Sequence, residues 1–424
     1  MRNTVVISGG TATNQIIDAF IPQNKQDSVT FILPVSDNGG SSSEILRVLG
    51  GCAIGDIRSR LIRLIPDETK IKGVNGVKEL LGYRLNEEEN KAREEWDKIV
   101  HGNHYIWDKV DLSLRVMIRS FLIHVDMEIN KRSLRLKFRF ESASVGNLFL
   151  TGTRLFFGDL DSGIEFVKRM CRINENINVH GCLNTNFTYH IAAILENGDV
   201  IRGQSQISHP SEEIGDENEN ETEKEKENNG IGIEIDVDTL THPSLEKSQL
   251  RFHKEIDGEL IPPLPSKIAR VLYISPYGEE IHPRASNKTL RALEESDTVI
   301  FSIGSLWTSI VPVLLLRGVG ESIIKGKPPK KLIMFLNSTR DRETNNMTWY
   351  DNLIVIKQSL SYSMGVPLSL SDVVHVVVYC RDSPLLVQQE ESIDRIEKEG
   401  IKCIPIPGSF FEHTTLLKTL KEGF

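Results

Sequence analysis

The sequence predicts an α/β fold: a doubly wound, mostly parallel Rossmann-like sheet with helices on both faces, plus a helical insert and a disordered acidic loop. Three observations predict it. Residues 4–35 read as strand, glycine turn, helix and strand, which is a βαβ unit. Both faces of its two strands are apolar, as in a parallel sheet covered by helices. Four further apolar runs, RVLYISP (270–276), DTVIFSIGS (297–305), KLIMFLNS (331–338) and VVHVVVYC (373–380), each end in polar or small residues. They fit the C-terminal half of the same parallel sheet.

The elements follow in order. Thr4-Val5-Val6-Ile7 is a short apolar strand bounded by Gly9-Gly10. TNQIIDAF (13–20) reads as a helix with Ile16, Ile17 and Phe20 on one side. VTFILPV (29–35) is the second strand, and Pro34 marks its end. Residues 66–140 form a mostly helical insert. NEEENKAREEWDKIV (86–100) is a charged helix and DLSLRVMIRSFLIHV (111–125) an amphipathic one. SLRLKFRF (133–140) alternates like a half-buried strand. Residues 145–172 return to helix. HIAAILENGDVIRGQSQI (190–207) is a hairpin turning at Asn197-Gly198. Helices over 383–399 and 412–421 complete the chain, which is read as one domain, 1–424.

Composition narrows the function classes. Hydrophobic residues make up 39% and charged residues 26% of 424, a soluble globular balance. No apolar run is long enough to span a membrane, and the N-terminus lacks the pattern of a secretory signal. Five scattered cysteines without a C-x-x-C pair suit a reducing compartment, so a cytoplasmic location is expected, with the nucleus also open. Nine acidic and two basic side chains in 211–229 hold most of the net charge of −9. That stretch sits in a low-complexity loop, 208–230, and is expected to be disordered. Its deletion is expected to leave folding intact. Elsewhere the chain is close to neutral, with no basic face for nucleic acid.

In an open α/β sheet, ligands bind beyond the carboxyl ends of the strands. This sequence places Gly9, Gly10, Thr11 and Thr13 after the first strand. After the second come Asp37, Asn38, Gly39, Gly40, Ser41, Ser42 and Ser43. Gly304, Ser305, Trp307, Thr308 and Ser309 follow the strand at 297–303, and Asn337-Ser338-Thr339 the strand at 331–336. Glycines admit close backbone approach, hydroxyls donate, and helix N-termini favour anions, which together is the chemistry of phosphate recognition. Each turn alone would also serve as a helix cap. The set of four points to a ligand site. Asp56 and Arg58 in Gly55-Asp56-Ile57-Arg58 add a candidate acid or base and a bidentate anion contact, or else a structural ion pair. Asn147, in Ser144-Val145-Gly146-Asn147, opens a further helix.

Several chemistries find no support. The first glycine turn matches neither G-x-G-x-x-G nor the P-loop pattern. No G-x-S-x-G elbow is present. His101 and His104 with Asp108 read as a solvated loop rather than a zinc site. Trp307 reads as packing, with stacking on a base as the second option.

The stretches VVISGGTATN (5–14), VSDNGGSSSEI (35–45), GDIRSRL (55–61), SVGNLFLTGT (144–153) and SIGSLWTSIVP (302–312) resemble, in the same order, the family of 2-phospho-L-lactate transferases and bacterial gluconeogenesis factors. The resemblance covers the chain apart from the insert and the acidic loop. It implies a ligand built on a nucleoside diphosphate, a homodimer and, in the transferase branch, magnesium. That branch moves a phospholactyl group from a guanosine diphosphate-linked donor to a deazaflavin alcohol. The other branch binds UDP-sugar and regulates carbon metabolism without established catalysis. On this pattern Asp37 holds magnesium or orients the acceptor hydroxyl, and Ser41 to Ser43 cap the following helix and donate to phosphate. Asp56 and Arg58 complete the catalytic set. Asn38 departs from the family's usual Asp-Asp-Gly-Gly-Ser-Ser run, and Ser8 and Ala12 from its Gly-Gly-Gly-Thr-Gly turn. The long insert and acidic loop resemble a eukaryotic, fungal-like elaboration.

Overall fold

The computed structural model describes residues 2–37, 39–66, 74–133, 136–183, 186–208, 263–275, 277–326 and 330–422. The acidic loop and Asn38 therefore lie outside the described residues.

The central sheet has seven parallel strands: β1 (Asn3–Ile7), β2 (Ser28–Leu33), β3 (Ile177–Gly181), β8 (Thr298–Phe301), β9 (Lys331–Phe335), β10 (Val376–Cys380) and β11 (Lys402–Ile406). Their order is β11-β10-β9-β8-β1-β2-β3. The strands are short and apolar because helices cover both faces. In β1, Val5, Val6 and Ile7 are all buried, as a strand with two covered faces requires. β2 stops at Leu33, one residue before Pro34, whose missing N–H cannot continue a central ladder.

A second sheet is antiparallel, in the order β5-β4-β6-β7, from β4 (His190–Leu195), β5 (Val200–Arg202), β6 (Ile268–Ile274) and β7 (Glu280–Ile281). β4 and β5 are the expected hairpin, and Gly198 at its turn has φ +91°. The run at 270–276, expected in the parallel sheet, is corrected here. It forms most of β6 and pairs antiparallel with β4. An apolar run shows that a strand is buried, not the direction of its partner.

Between β2 and β3 the chain makes a long helical crossover. It includes helices Gly40–Leu49, Gly55–Leu64, Val74–Gly82, Glu89–His101, Leu112–Arg132, Val145–Phe157 and Leu160–Met170. Trp96 anchors the added helices. It is fully buried, stacks on Phe140 at 5.6 Å between ring centroids, and donates from Nε1 to Asp126 at 2.7 Å. The strand expected over 133–140 is not formed. Residues 136–140 are irregular, Phe138 and Phe140 are buried, and the Arg139 amide donates to the Glu44 carboxylate at 2.7 Å. The alternation there records a loop pinned to a helix, with residues 134–135 outside the described set.

The helix expected over 13–20 is split into a short α-turn, Ala12–Gln15, and a 3₁₀ turn, Ile17–Phe20. β4, β6 and the parallel sheet contribute to one hydrophobic core.

Candidate functional site

The direction of the chain through the sheet reverses beside β1. β1, β2 and β3 lie on one side, while β8, the next strand of that sheet, pairs with the other edge of β1. Such a switch point opens a crevice at the carboxyl ends of the strands. The segments after β1, β2, β8 and β9 meet there, and they contain most of the residues singled out in the sequence.

The floor is built by the helix Gly55–Leu64 gripping the Gly9–Gly10 turn. Asp56 accepts a hydrogen bond from the Gly10 amide. One turn later, Arg60 Nη2 donates to the Gly9 carbonyl at 2.7 Å and to Ser8 Oγ at 3.0 Å. Thus the carbonyl and the amide of the same peptide unit are held by residues at i and i+4 of one helix, which lie on a common face. Gly9 and Gly10 are required by close approach. A Cβ on Gly9 would stand 2.5 Å from Ser309 Oγ, and one on Gly10 would collide with Asp56. Arg60 is fully buried, with its guanidinium 4.7 Å from the centroid of Phe31. Burial lowers its pKa to about 10, still well above neutrality.

Two carboxylates share this floor. Burial first, and then the charge of Asp37, push the Asp56 carboxyl up to about 7, against the opposing pull of Arg60. Asp37 Oδ1 accepts from the Gly39 amide at 3.0 Å, and its other oxygen lies beside Gly55. Arg58 reaches from the same helix to Asn147 Oδ1 at 3.2 Å, and Asn147 Nδ2 donates to Ser41 Oγ at 2.8 Å. Burial lowers the pKa of Arg58 to about 10, so it stays a cation.

The serine run takes a different role from the one expected. The N-cap of Gly40–Leu49 is Gly39, without a side-chain cap. Ser41, Ser42 and Ser43 sit in the first turn and are buried. Ser43 donates to the Gly40 carbonyl at 2.6 Å, Ser41 receives Asn147, and Ser42 packs beside Gly55. Small hydroxyl residues are needed there because two helix starts approach closely.

The third wall is the segment after β8. Gly304 has φ +135°, a conformation that disfavours any Cβ. Its amide donates to Asn337 Oδ1 at 3.1 Å and its carbonyl accepts from Asn337 Nδ2 at 2.7 Å. The Gly304 amide, expected to be a phosphate donor, is therefore already paired. A π-turn follows, Leu306–Ile310. Buried Glu343 holds it, accepting from Ser305, from Thr308 at 2.9 Å and from Ser208 at 2.5 Å. Burial and the neighbouring Asp341 push the Glu343 carboxyl upward, while the hydroxyls oppose the shift. Thr13, also expected at phosphate, is fully buried and donates to the Ile303 carbonyl at 2.9 Å, tying the β1 segment to the β8 segment. Trp307 is buried, and its indole donates to Met347 Sδ at 3.3 Å. It is packing.

The predicted residues thus divide into two layers. Thr11, Asp37, Gly39, Gly40, Asp56, Arg58, Gly304 and Ser305 keep solvent exposure. Gly9, Gly10, Thr13, Ser41, Ser42, Asn147, Thr308 and Ser309 are buried behind them. Arg60 and Glu343 are not among the residues that the sequence marks as ligand-binding, and Asn337, which is, pairs with Gly304. An Arg at i+4 from Asp56 was a visible signal. Glu343, in an ordinary polar stretch, carried none. His104 is buried, its Nδ1 accepting from the Ile106 amide, and among the described residues no group of three or more His, Cys, Asp or Glu side chains converges.

Residues 4–405 match the family described as 2-phospho-L-lactate transferase CofD. A Saccharomyces cerevisiae chain, described as uncharacterized protein YNL011C, is 38% identical over 96% of both chains. The gluconeogenesis factor of Bacillus subtilis is 35% identical over 106 residues, 25% of this chain and 32% of that one. A crystal structure of protein BH3568 from Bacillus halodurans has the same fold, with a TM-score of 0.60, 18% identity and 99% coverage of each chain.

Proposed function

The chain belongs to the 2-phospho-L-lactate transferase CofD family, and on that premise we propose that it binds a nucleotide-diphosphate-linked ligand in the crevice beside β1 and transfers a phosphorus-linked group from it to an alcohol. The observation that carries this reading is the Asp37–Asp56 carboxylate pair between the Gly9–Gly10 turn and Arg58.

In this reaction the acceptor oxygen attacks one phosphorus of the diphosphate in line with the bridging oxygen. The new P–O bond forms as the bridging P–O bond breaks, and a nucleoside monophosphate leaves with the electron pair. Asp37 orients the acceptor hydroxyl and takes its proton. Asp56 has one hydrogen bond committed to Gly10, so it acts mainly by holding that turn. Arg58 neutralises charge that develops on the transferred group and the leaving group. Such catalysis depends on positioning and charge rather than on a covalent intermediate.

The donor set fits magnesium. Two neighbouring carboxylates, Asp37 and an Asp56 whose pKa is raised by burial and then by the charge of Asp37, suit a divalent cation that takes one or two protein carboxylates and fills its shell with water and phosphate oxygens. Where the ion is bound, Asp37 would hold it instead of serving as the base, and the ion would supply charge neutralisation at the diphosphate. The homodimer belongs to the same reading, and sedimentation at several concentrations tests it.

The deciding experiment is a thermal-shift screen with GDP, UDP, UDP-sugars, FMN and deazaflavin alcohols, each with and without magnesium, followed by turnover assays. Binding to the native state raises the melting temperature. A shift with a nucleoside diphosphate, abolished by Gly39→Val or Arg58→Ala, is expected. Asp37→Ala is expected to cut turnover by about 10²–10⁴-fold with modest loss of donor binding. The similarity to gluconeogenesis factors favours a second reading, a non-catalytic UDP-sugar-binding regulator of carbon metabolism. A UDP-sugar shift without turnover on any acceptor would select it. No shift with any member would remove both.

A further inference from the structure

On the face of β1, β2 and β3 that carries Val5, the sheet departs from the apolar rule for covered parallel strands. Thr30 in β2 is in register with Val5 and with Asn178, and Ile32 with His180. Thr30, Asn178 and His180 therefore share one face. The helix Asn287–Glu295 lies over that face and leaves a cavity of about 290 Å³, with Lys288, Arg291 and Glu295 also lining it. On the interior strand β2, Thr30 adds nothing to a hydrophobic core, and beside it on the edge strand β3 stand the half-buried Asn178 and His180.

Their chemistry is that of a receptor for a small anion. His180 Nδ1 is buried with no hydrogen-bond partner. Burial lowers its pKa to about 4, so the ring is neutral near pH 7 and that nitrogen is a hydrogen-bonding group rather than a charge. Lys168 donates to Asn178 Oδ1 at 3.1 Å, leaving the Asn178 amide nitrogen as a donor. Lys288 is bridged to Asp161 at 3.2 Å. Arg291 has no ion-pair partner among the described residues and is exposed at the rim. With Lys288 offset by Asp161, Arg291 and Glu295 leave the rim near neutral, so the fork of Arg291, not a bulk field, must select the ligand. A half-buried polar row with one buried, unpaired nitrogen calls for a partner that fills the space.

We propose that this cavity is a second binding site, for a small hydroxylated oxyanion: the guanidinium of Arg291 takes the carboxylate or phosphate, and Thr30, Asn178 and His180 take the hydroxyl groups. It is separate from the crevice and independent of the proposed transferase activity.

The test uses the full chain and three probes: D-glycerate, glycerol phosphate and inorganic phosphate. Thermal shift and calorimetry are run on the wild type, Asp37→Ala, Arg291→Glu and Thr30→Val, with circular dichroism to establish that each variant folds. The expected result is a saturable rise in melting temperature with D-glycerate or glycerol phosphate, retained in Asp37→Ala. Affinity should fall about tenfold or more in Arg291→Glu, which alters only an exposed side chain, and should weaken in Thr30→Val. Preference between the two probes names the oxyanion. Inorganic phosphate binding as well as glycerol phosphate would overturn the role of the hydroxyl-binding row. No saturable rise with any probe, or binding undiminished in Arg291→Glu, would overturn the site itself.

Discussion

Arg60 and Asp56 show how single residues set the crevice. Each holds one end of the Gly9–Gly10 peptide, and each is the other's opposite charge. Removing the guanidinium leaves the buried Gly9 carbonyl and Ser8 hydroxyl without their donor and takes away one of two cations near Asp56, a loss of about 1–3 kcal/mol. Arg60→Met is therefore expected to lower the urea midpoint strongly, and a loss under about 1 kcal/mol would refute the clamp. His180 gives a pH prediction. Its pKa falls from 6.5 to about 4 on folding, so between those values the unfolded chain binds more protons. Its contribution to stability is complete above pH 6.5 and is lost as pH falls towards 4. His180→Leu should flatten stability against pH in that window relative to the wild type, and an unchanged difference between pH 4.5 and 7 would contradict it.

Among the elements, the π-turn Leu306–Ile310 depends on a residue from another loop. Glu343 accepts from Ser305, Thr308 and Ser208, so Glu343→Ala removes the shared acceptor and leaves the three hydroxyls bonded only to one another. A cost of about 1–3 kcal/mol is expected, read from chemical denaturation. Nucleoside diphosphate affinity should fall with it, because Ser309 and Gly9 meet through that turn. In the helical crossover, Phe140 stacks on Trp96 and is buried. Phe140→Ala should cost about 3–5 kcal/mol. A strand reading of 133–140 would not have predicted this, because it aims Phe140 at a sheet rather than a helix. The alternation was real, but period two also arises when a loop dips twice into a core, and no local signal separates the two cases.

At the scale of the whole molecule, the antiparallel sheet is joined to the parallel one. Ile191, Ala193, Val271 and Tyr273 belong to the main core, and the Tyr273 hydroxyl donates to the Pro312 carbonyl at 2.9 Å. Trp96 and Trp107 report on the crossover helices, and Trp307 and Trp349 on the segments beside β8 and β9. One core predicts coincident unfolding curves by tryptophan fluorescence and far-ultraviolet circular dichroism. Separate transitions would show that the 66–140 helices form an independent unit.

The amino-acid sequence by itself determined the class of fold, most strands and the family. Those properties rest on short-range patterns: apolar runs, glycine turns and small polar residues at strand ends. Tertiary structure alone decided which of those polar residues face solvent. Thr13, Thr308 and Asn147 look like ligand groups in sequence, yet their polar side chains pair with Ile303, Glu343 and Arg58, which lie 35 to 290 residues away. A hydroxyl has the same one-dimensional signature whether it meets a phosphate or a carbonyl. Only folding, which sets the partner within hydrogen-bond reach, distinguishes the two.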